Sequence, residues 1–236
     1  MTVRVKVCGF TRAEDVQAAL DAGVDAIGLN LARGPRRIEL GHAAGLAALV
    51  PPLVTAVALF VDATEDAILQ AMRVTRCSAV QLHGDEPAEL AERLREWYPV
   101  IKAFRVGSAA DVLRIRGYPA DAYLLDAQVT GLHGGTGVGW DHRWLDGIDL
   151  GAPIVLAGGL TPVNIGAAVA AVRPWAVDVA SGVESAAGIK DADAVRRVRV
   201  LKRHPPAGAV EVLVVEAVAA RGRVDHDLAP RRVEEA

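Results

Sequence analysis

Two residues able to move protons sit directly behind apolar runs in this chain. Cys8 follows residues 3–7, and Asp126 follows 122–125. A thiolate is a base and a nucleophile. A carboxyl at a poorly solvated strand end holds its proton to higher pH, which suits a general acid. Each also has a plainer reading: Cys8 as a small buried side chain, Asp126 as a carboxylate that accepts loop N–H groups. Two glycine turns accompany them, Gly158-Gly159-Leu160-Thr161 and Ser181-Gly182-Val183-Glu184. Backbone N–H groups at such turns can cup a phosphate, and the alternative is that they serve only tight turning. His83 positions substrate or braces its loop. His133, in the glycine-rich stretch 131–139, reads as a solvated loop residue.

Parallel strands would bring these groups together. Apolar runs of strand length recur at residues 3–7, 26–31, 54–61, 79–82, 100–104, 122–125, 153–157 and 176–179. Their starts lie roughly 20 to 30 residues apart, which suits one strand–helix unit each. Helix-period segments fill the gaps at 65–76, 87–97 and 109–116, and an eighth helix falls at about 192–202. Thr11-Arg12-Ala13-Glu14 has the form of a capping box for the first helix, and Thr161-Pro162 of a cap for the seventh. Eight such units predict an α/β fold, a (β/α)₈ TIM barrel. A doubly wound sheet would place its glycine-rich turn after the first strand instead. In a barrel the residues behind each strand converge on one mouth: Cys8 and Gly9, 33–36, Asp62, His83 and Gly84, Arg105, Asp126, Gly158 and Gly159, Ser181 and Gly182. The loops after strands seven and eight are the usual phosphate site of this fold.

The 236 residues are 52% hydrophobic but only 4% aromatic, so the core must be aliphatic. A net charge of −3 argues against nucleic acid or an anionic membrane as partner. No apolar stretch approaches the roughly 20 residues of a membrane span, and the N-terminus lacks the apolar block of a signal peptide. Cys8 and Cys77 form no metal-type spacing. A cytoplasmic enzyme with free thiols is expected. The barrel domain is predicted over 1–203. Residues 204–236 form a linker and tail of unassigned role, whose apolar run 209–220 favours a packing or dimer-contact segment over a disordered end.

Several segments in order resemble the phosphoribosylanthranilate isomerase family. They are Lys6-Val7-Cys8-Gly9-Phe10-Thr11, Gly34-Pro35-Arg36, Val80-Gln81-Leu82-His83-Gly84, Leu124-Leu125-Asp126, Gly134-Gly135-Thr136-Gly137, Leu156-Ala157-Gly158-Gly159-Leu160 with Asn164, and Asp178-Val179-Ala180-Ser181-Gly182-Val183-Glu184 followed by Gly188-Ile189-Lys190-Asp191. The resemblance implies an Amadori rearrangement in tryptophan biosynthesis, with N-(5-phosphoribosyl)anthranilate converted to 1-(2-carboxyphenylamino)-1-deoxyribulose 5-phosphate. It implies Asp126 as general acid, Cys8 as general base, Arg36 on the anthranilate carboxylate, and Gly158, Gly159, Ser181 and Gly182 around the phosphate, with no cofactor or metal. The partner implied is a phosphorylated small molecule, and the chain a monomer or homodimer. The chain departs from the family in three places. Gly28–Arg33 lacks the usual aromatic residues, Gly34 replaces Ser, and Asp62 replaces Asn.

Other readings stay open on the sequence. An indole-glycerol-phosphate synthase would want a catalytic lysine at a strand end, whereas Lys6 and Lys102 lie inside strands. A histidine-pathway isomerase would want paired aspartates after strands one and five, where Cys8 holds the first place and no aspartate the second. An inactive barrel serving as a binding subunit is the third.

Overall fold

The computed structural model describes residues 3–127 and 149–200, all within one compact unit, Met1–His204; the tail 205–236 forms a second unit. The tail, the glycine-rich stretch 131–139 and His133 lie outside the described residues. Among the described residues, eight parallel strands close into a barrel in sequence order. They are β1 (Arg4–Cys8), β2 (Ala26–Asn30), β3 (Thr55–Phe60), β4 (Ala79–Leu82), β5 (Val100–Val106), β6 (Ala122–Ala127), β7 (Ile154–Ala157) and β8 (Ala176–Val179). The helices around them are α1 (Ala13–Ala22), α2 (Leu40–Ala47), α3 (Glu65–Thr75), α4 (Ala88–Arg95), α5 (Ala109–Ile115), α6 (Ile165–Val172) and α7 (Ala192–Val200). A short antiparallel hairpin, β9 (Glu184–Ala186) and β10 (Ile189–Lys190), folds back before α7. Strand positions agree with the apolar runs to within one or two residues.

Strand alternation sorts the side chains into two layers. Val5, Val7, Ile27, Leu29, Val80, Leu82 and Leu125 point outward and pack with Val16, Ile68, Met72, Leu94 and Val195 of the helices. The other face fills the barrel with small residues, Ala103, Ala122, Ala157 and Ala176, around Leu124 and Val155. Leu124 is fully buried, so Leu124→Ala would open a cavity at a cost of about 2–5 kcal/mol. Alanines leave room inside for longer polar side chains, and Lys6, Gln81 and Asp178 are buried there. The 3.6-residue stripe of α3 covers the wall, and Thr64 caps it by accepting from the Ala67 N–H at 3.4 Å.

One expected cap is not formed. Arg12, not Thr11, flanks α1, and it makes no side-chain cap bond. Thr11 Oγ1 instead donates to the Gly188 carbonyl at 2.5 Å. The distant hairpin captures the hydroxyl that local pattern assigned to the helix. At α6 the expected cap lies one turn early: Asn164, not Thr161, flanks the helix and makes no side-chain cap bond. In the turn before it, Thr161 Oγ1 accepts from the Asn164 N–H at 3.4 Å and Asn164 Oδ1 accepts from the Thr161 N–H at 2.7 Å. The reciprocal pair has the form of a capping box, but it closes the turn that leads into α6.

Candidate active site

Parity places Cys8, Gly28, Asn30, His83, Arg105 and Asp126 on the inner face at the C-terminal ends of their strands. Cys8 is 7% exposed and lies against Gly28, where a Cβ would stand 2.5 Å from Sγ. The missing side chain on β2 is therefore what makes space for the thiol. Burial pushes the Cys8 thiol up, and the charge of Lys6 is the largest influence against it. Lys6 lies two residues earlier on the same face and donates to Asp178 Oδ1 at 3.0 Å.

Asp126 stands three strands away around the barrel. Its carboxylate is 35% exposed, more open than a poorly solvated strand end predicts, because it sits at the rim rather than among the inner alanines. His83 Nε2 lies 3.6 Å from Asp126 Oδ2. On the ring's other side Gln81 Nε2 lies 2.8 Å from Nδ1. This contact aims Nε2 at the carboxylate. Gln81 is fully buried and its Oε1 has no partner among the described residues. Arg105, one residue before the end of β5, is the ladder neighbour of Asp126.

Arg36 arches over Gly9, close enough that a Cβ there would collide with its Cδ, and Gly9 also holds a positive φ of 84°. Its guanidinium grips Glu184 by two bonds, Nε to Oε1 at 2.8 Å and Nη2 to Oε2 at 2.7 Å. Lys190 Nζ joins the same carboxylate at 2.7 Å and also donates to the Cys8 carbonyl at 2.6 Å. Burial alone would raise Glu184, but Arg36 and Lys190 outweigh it and hold the carboxyl below its ordinary range. The loop after β2 is thereby fastened to the hairpin after β8, and both to the end of β1.

The two glycine turns also meet. Gly158 and Gly159 have φ of 87° and 63°, open to glycine at little cost. Gly182 lies so close to the Leu160 carbonyl that any Cβ would strike it. Ser181 is exposed, at the start of a 3₁₀ turn, Ser181–Val183, that presents backbone N–H groups beside the turn into α6.

Comparison with known proteins decides between the open readings. The family model for N-(5'-phosphoribosyl)anthranilate (PRA) isomerase matches residues 5–199. The chain belongs to the PRA isomerase family. The N-(5'-phosphoribosyl)anthranilate isomerase of Myxococcus xanthus (strain DK1622) is 50% identical over 202 residues, covering 83% of this chain and 94% of its own. The crystal structure of the Thermus thermophilus phosphoribosyl anthranilate isomerase superposes with a TM-score of 0.74 at 39% identity, over 84% of this chain and 98% of that one. A third relative, at 35% identity and TM-score 0.75 over 85% of this chain and 98% of its own, was solved in complex with reduced 1-(o-carboxyphenylamino)-1-deoxyribulose 5-phosphate. The barrel is an isomerase of tryptophan biosynthesis, and the synthase, histidine-pathway and inactive readings fall away.

Within the family, the departures acquire local explanations. Asp62 has a left-handed φ of 50°, a conformation that Asn and Asp tolerate best, and its Oδ1 accepts the Asp85 N–H at 2.7 Å. It braces the β3 and β4 loops together. Asn30 Oδ1 accepts the Ala32 N–H at 2.8 Å and turns the chain toward Arg36. Sequence reasoning did not single out Gln81, Asp178, Glu184 or Lys190. For Gln81 and Asp178 the available signal was a polar residue inside an apolar run, since a buried polar group requires a partner.

Proposed function

We propose that Asp126 and Cys8 are the acid and base of the Amadori rearrangement. Asp126 donates a proton to the ribose ring oxygen of N-(5-phosphoribosyl)anthranilate, and the ring opens to a protonated Schiff base. Cys8, as the thiolate, removes the C2 proton. The electron pair moves into the C1–C2 bond and neutralises the iminium nitrogen, giving an enolamine that tautomerises to the ketone. The supporting observation is that both groups face inward at the C-terminal strand ends, from β1 and β6, which are separated by β7 and β8 around the barrel. His83 contacts the substrate beside Asp126.

Arg36 binds the anthranilate carboxylate. Glu184 occupies Nε and Nη2, which fixes the plane of the guanidinium and leaves Nη1 toward the ligand. Gly158, Gly159, Ser181 and Gly182 hold the phosphate through backbone N–H groups and the α6 N-terminus. Anchoring both ends fixes C1 and C2 between acid and base, so positioning supplies part of the rate. This chemistry belongs to residues 1–203, with 204–236 outside it. The barrel works on this phosphorylated small molecule in the cytoplasm, as a monomer or homodimer.

The experiment follows the loss of phosphoribosylanthranilate fluorescence, with substrate generated in place, in wild type and in Asp126→Asn. Turnover in the wild type that falls by about 10²–10⁴ in the variant is expected. Near-normal turnover by Asp126→Asn removes the acid assignment. Arg36→Ala is expected to raise KM far more than it lowers kcat, and an unchanged KM removes the carboxylate pairing.

A further inference from the structure

The barrel interior holds an ion pair that the acid–base scheme leaves unused. Lys6 and Asp178 meet at 3.0 Å with side chains 5% and 8% exposed. They are ladder neighbours on β1 and β8, both pointing inward. Cys8 follows Lys6 on the same face, so the ammonium lies directly beneath the thiol. Gly28 brings no side chain from β2, so nothing on that strand intervenes.

Among the described residues, the charges around Cys8 come from β1, β8, the β9–β10 hairpin and the loop after β2, while β2 itself brings none. Lys6 and Asp178 approach from within the barrel. Lys190 arrives from β10 through the Cys8 carbonyl. Arg36 arrives from the loop after β2, with Glu184 bound to both it and Lys190. Three cations face two carboxylates, so one positive charge is left over, and a thiolate at Cys8 balances it. An isolated buried thiolate would be strongly disfavoured, and a buried cation with a fixed counter-ion is what offsets that.

We propose that Lys6, held by Asp178, is a positioning residue that keeps Cys8 available as a thiolate. The proposal rests on the assignment of Cys8 as the base. Asp178 keeps Lys6 in place without using it up, because the ammonium has three donors and the carboxylate takes one. Neither residue needs to touch the reacting carbons.

The test measures the pH dependence of Cys8 alkylation by iodoacetamide in the full-length protein, with peptide mass spectrometry resolving Cys8 from Cys77. The pH profile of kcat/KM is recorded in parallel. Lys6→Met is expected to move half-maximal alkylation up by about one pH unit or more, a roughly tenfold smaller thiolate fraction at fixed pH. The acidic limb of kcat/KM moves with it, and Lys6→Arg restores most of both. If Lys6→Met does not fold, Lys6→Met with Asp178→Asn removes both charges together, and an upward shift smaller than for the single variant is expected, because Asp178 itself pushes the thiol up. An unshifted alkylation profile in the folded variant overturns the proposal. A shifted alkylation profile with an unmoved kcat/KM limb leaves Lys6 as the thiol's counter-charge but overturns Cys8 as the base.

Discussion

Two lysines lie inside strands of this barrel, each buried against a carboxylate, and they differ in which side of the wall they occupy. Lys6 points inward to Asp178. Lys102 of β5 points outward and meets Glu86 at 2.6 Å, with side chains 4% and 1% exposed. The outer pair is the more fully bonded. Lys102 also donates to the Gly84 carbonyl at 2.5 Å and lies 5.7 and 5.8 Å from the Phe104 and Tyr118 rings. Glu86 accepts the Gly84 N–H on both oxygens and the Asp62 N–H at 3.0 Å. Among the described residues, Asp178 accepts from Lys6 alone. A charged pair whose remaining bonds go to backbone acts on the backbone, here the loop that carries His83. A charge with donors to spare beside a thiol acts on the thiol.

The largest effect expected from this contrast is at the thiol. Cys8→Ser keeps the shape, but a hydroxyl ionises so reluctantly that Lys6 cannot make it a base. Turnover should fall by about 10³, with the unfolding midpoint little changed. Turnover within tenfold of wild type would mean that the ammonium is not there to support a base. Next comes Lys102→Met, which leaves Glu86 buried without its cation. Stability should fall by about 3 kcal/mol in denaturant unfolding, the lower end for a broken buried pair because three backbone bonds to Glu86 remain. The pH profile of the surviving activity should stay where it was. A shifted profile with unchanged stability would reverse the roles of the two lysines.

Much of this was legible from the residues, and the division follows the range of the forces. Apolar runs set by strand burial placed all eight strands, and the groups behind them marked the mouth at Cys8, His83, Asp126 and Gly182. What depends on distant partners was not legible. Thr11 carries the form of a helix cap, yet its hydroxyl is taken by Gly188, far along the chain. Lys6 and Asp178 each look like interruptions of a strand until β1 and β8 are side by side. Arg36 reads as a free ligand-binding cation, and the structure joins it to Glu184.

Acid should separate the outer network from the inner one more gently. Burial would raise Glu86, but its bond to Lys102 outweighs this and holds the carboxyl below its ordinary value of 4.5; Glu184 is lowered likewise by Arg36 and Lys190. A folded-state pKa below the unfolded one gives stability that is present above about pH 4.5 and is lost as pH falls through the folded value. The melting temperature should therefore drop below pH 4.5, and Glu86→Gln should flatten part of that drop. A Glu86→Gln slope equal to wild type would show that the outer pair carries none of the acid sensitivity.

The smallest effect is expected at Asp62, where the outer network reaches the surface. Its N–H is held by Glu86, its Oδ1 holds the Asp85 N–H, and its φ of 50° lies in the left-handed region. Asn supplies the same accepting oxygen and tolerates the same backbone, so Asp62→Asn should change stability by less than about 0.5 kcal/mol and turnover by less than about twofold. Asp62→Val removes the acceptor and places a β-branched residue at positive φ. It should cost about 1–3 kcal/mol and raise KM by loosening the loop that follows His83. If Asp62→Asn were as damaging as Asp62→Val, the negative charge itself would matter at the mouth. The division between an outer structural network and an inner chemical one would then have to be redrawn through Asp62.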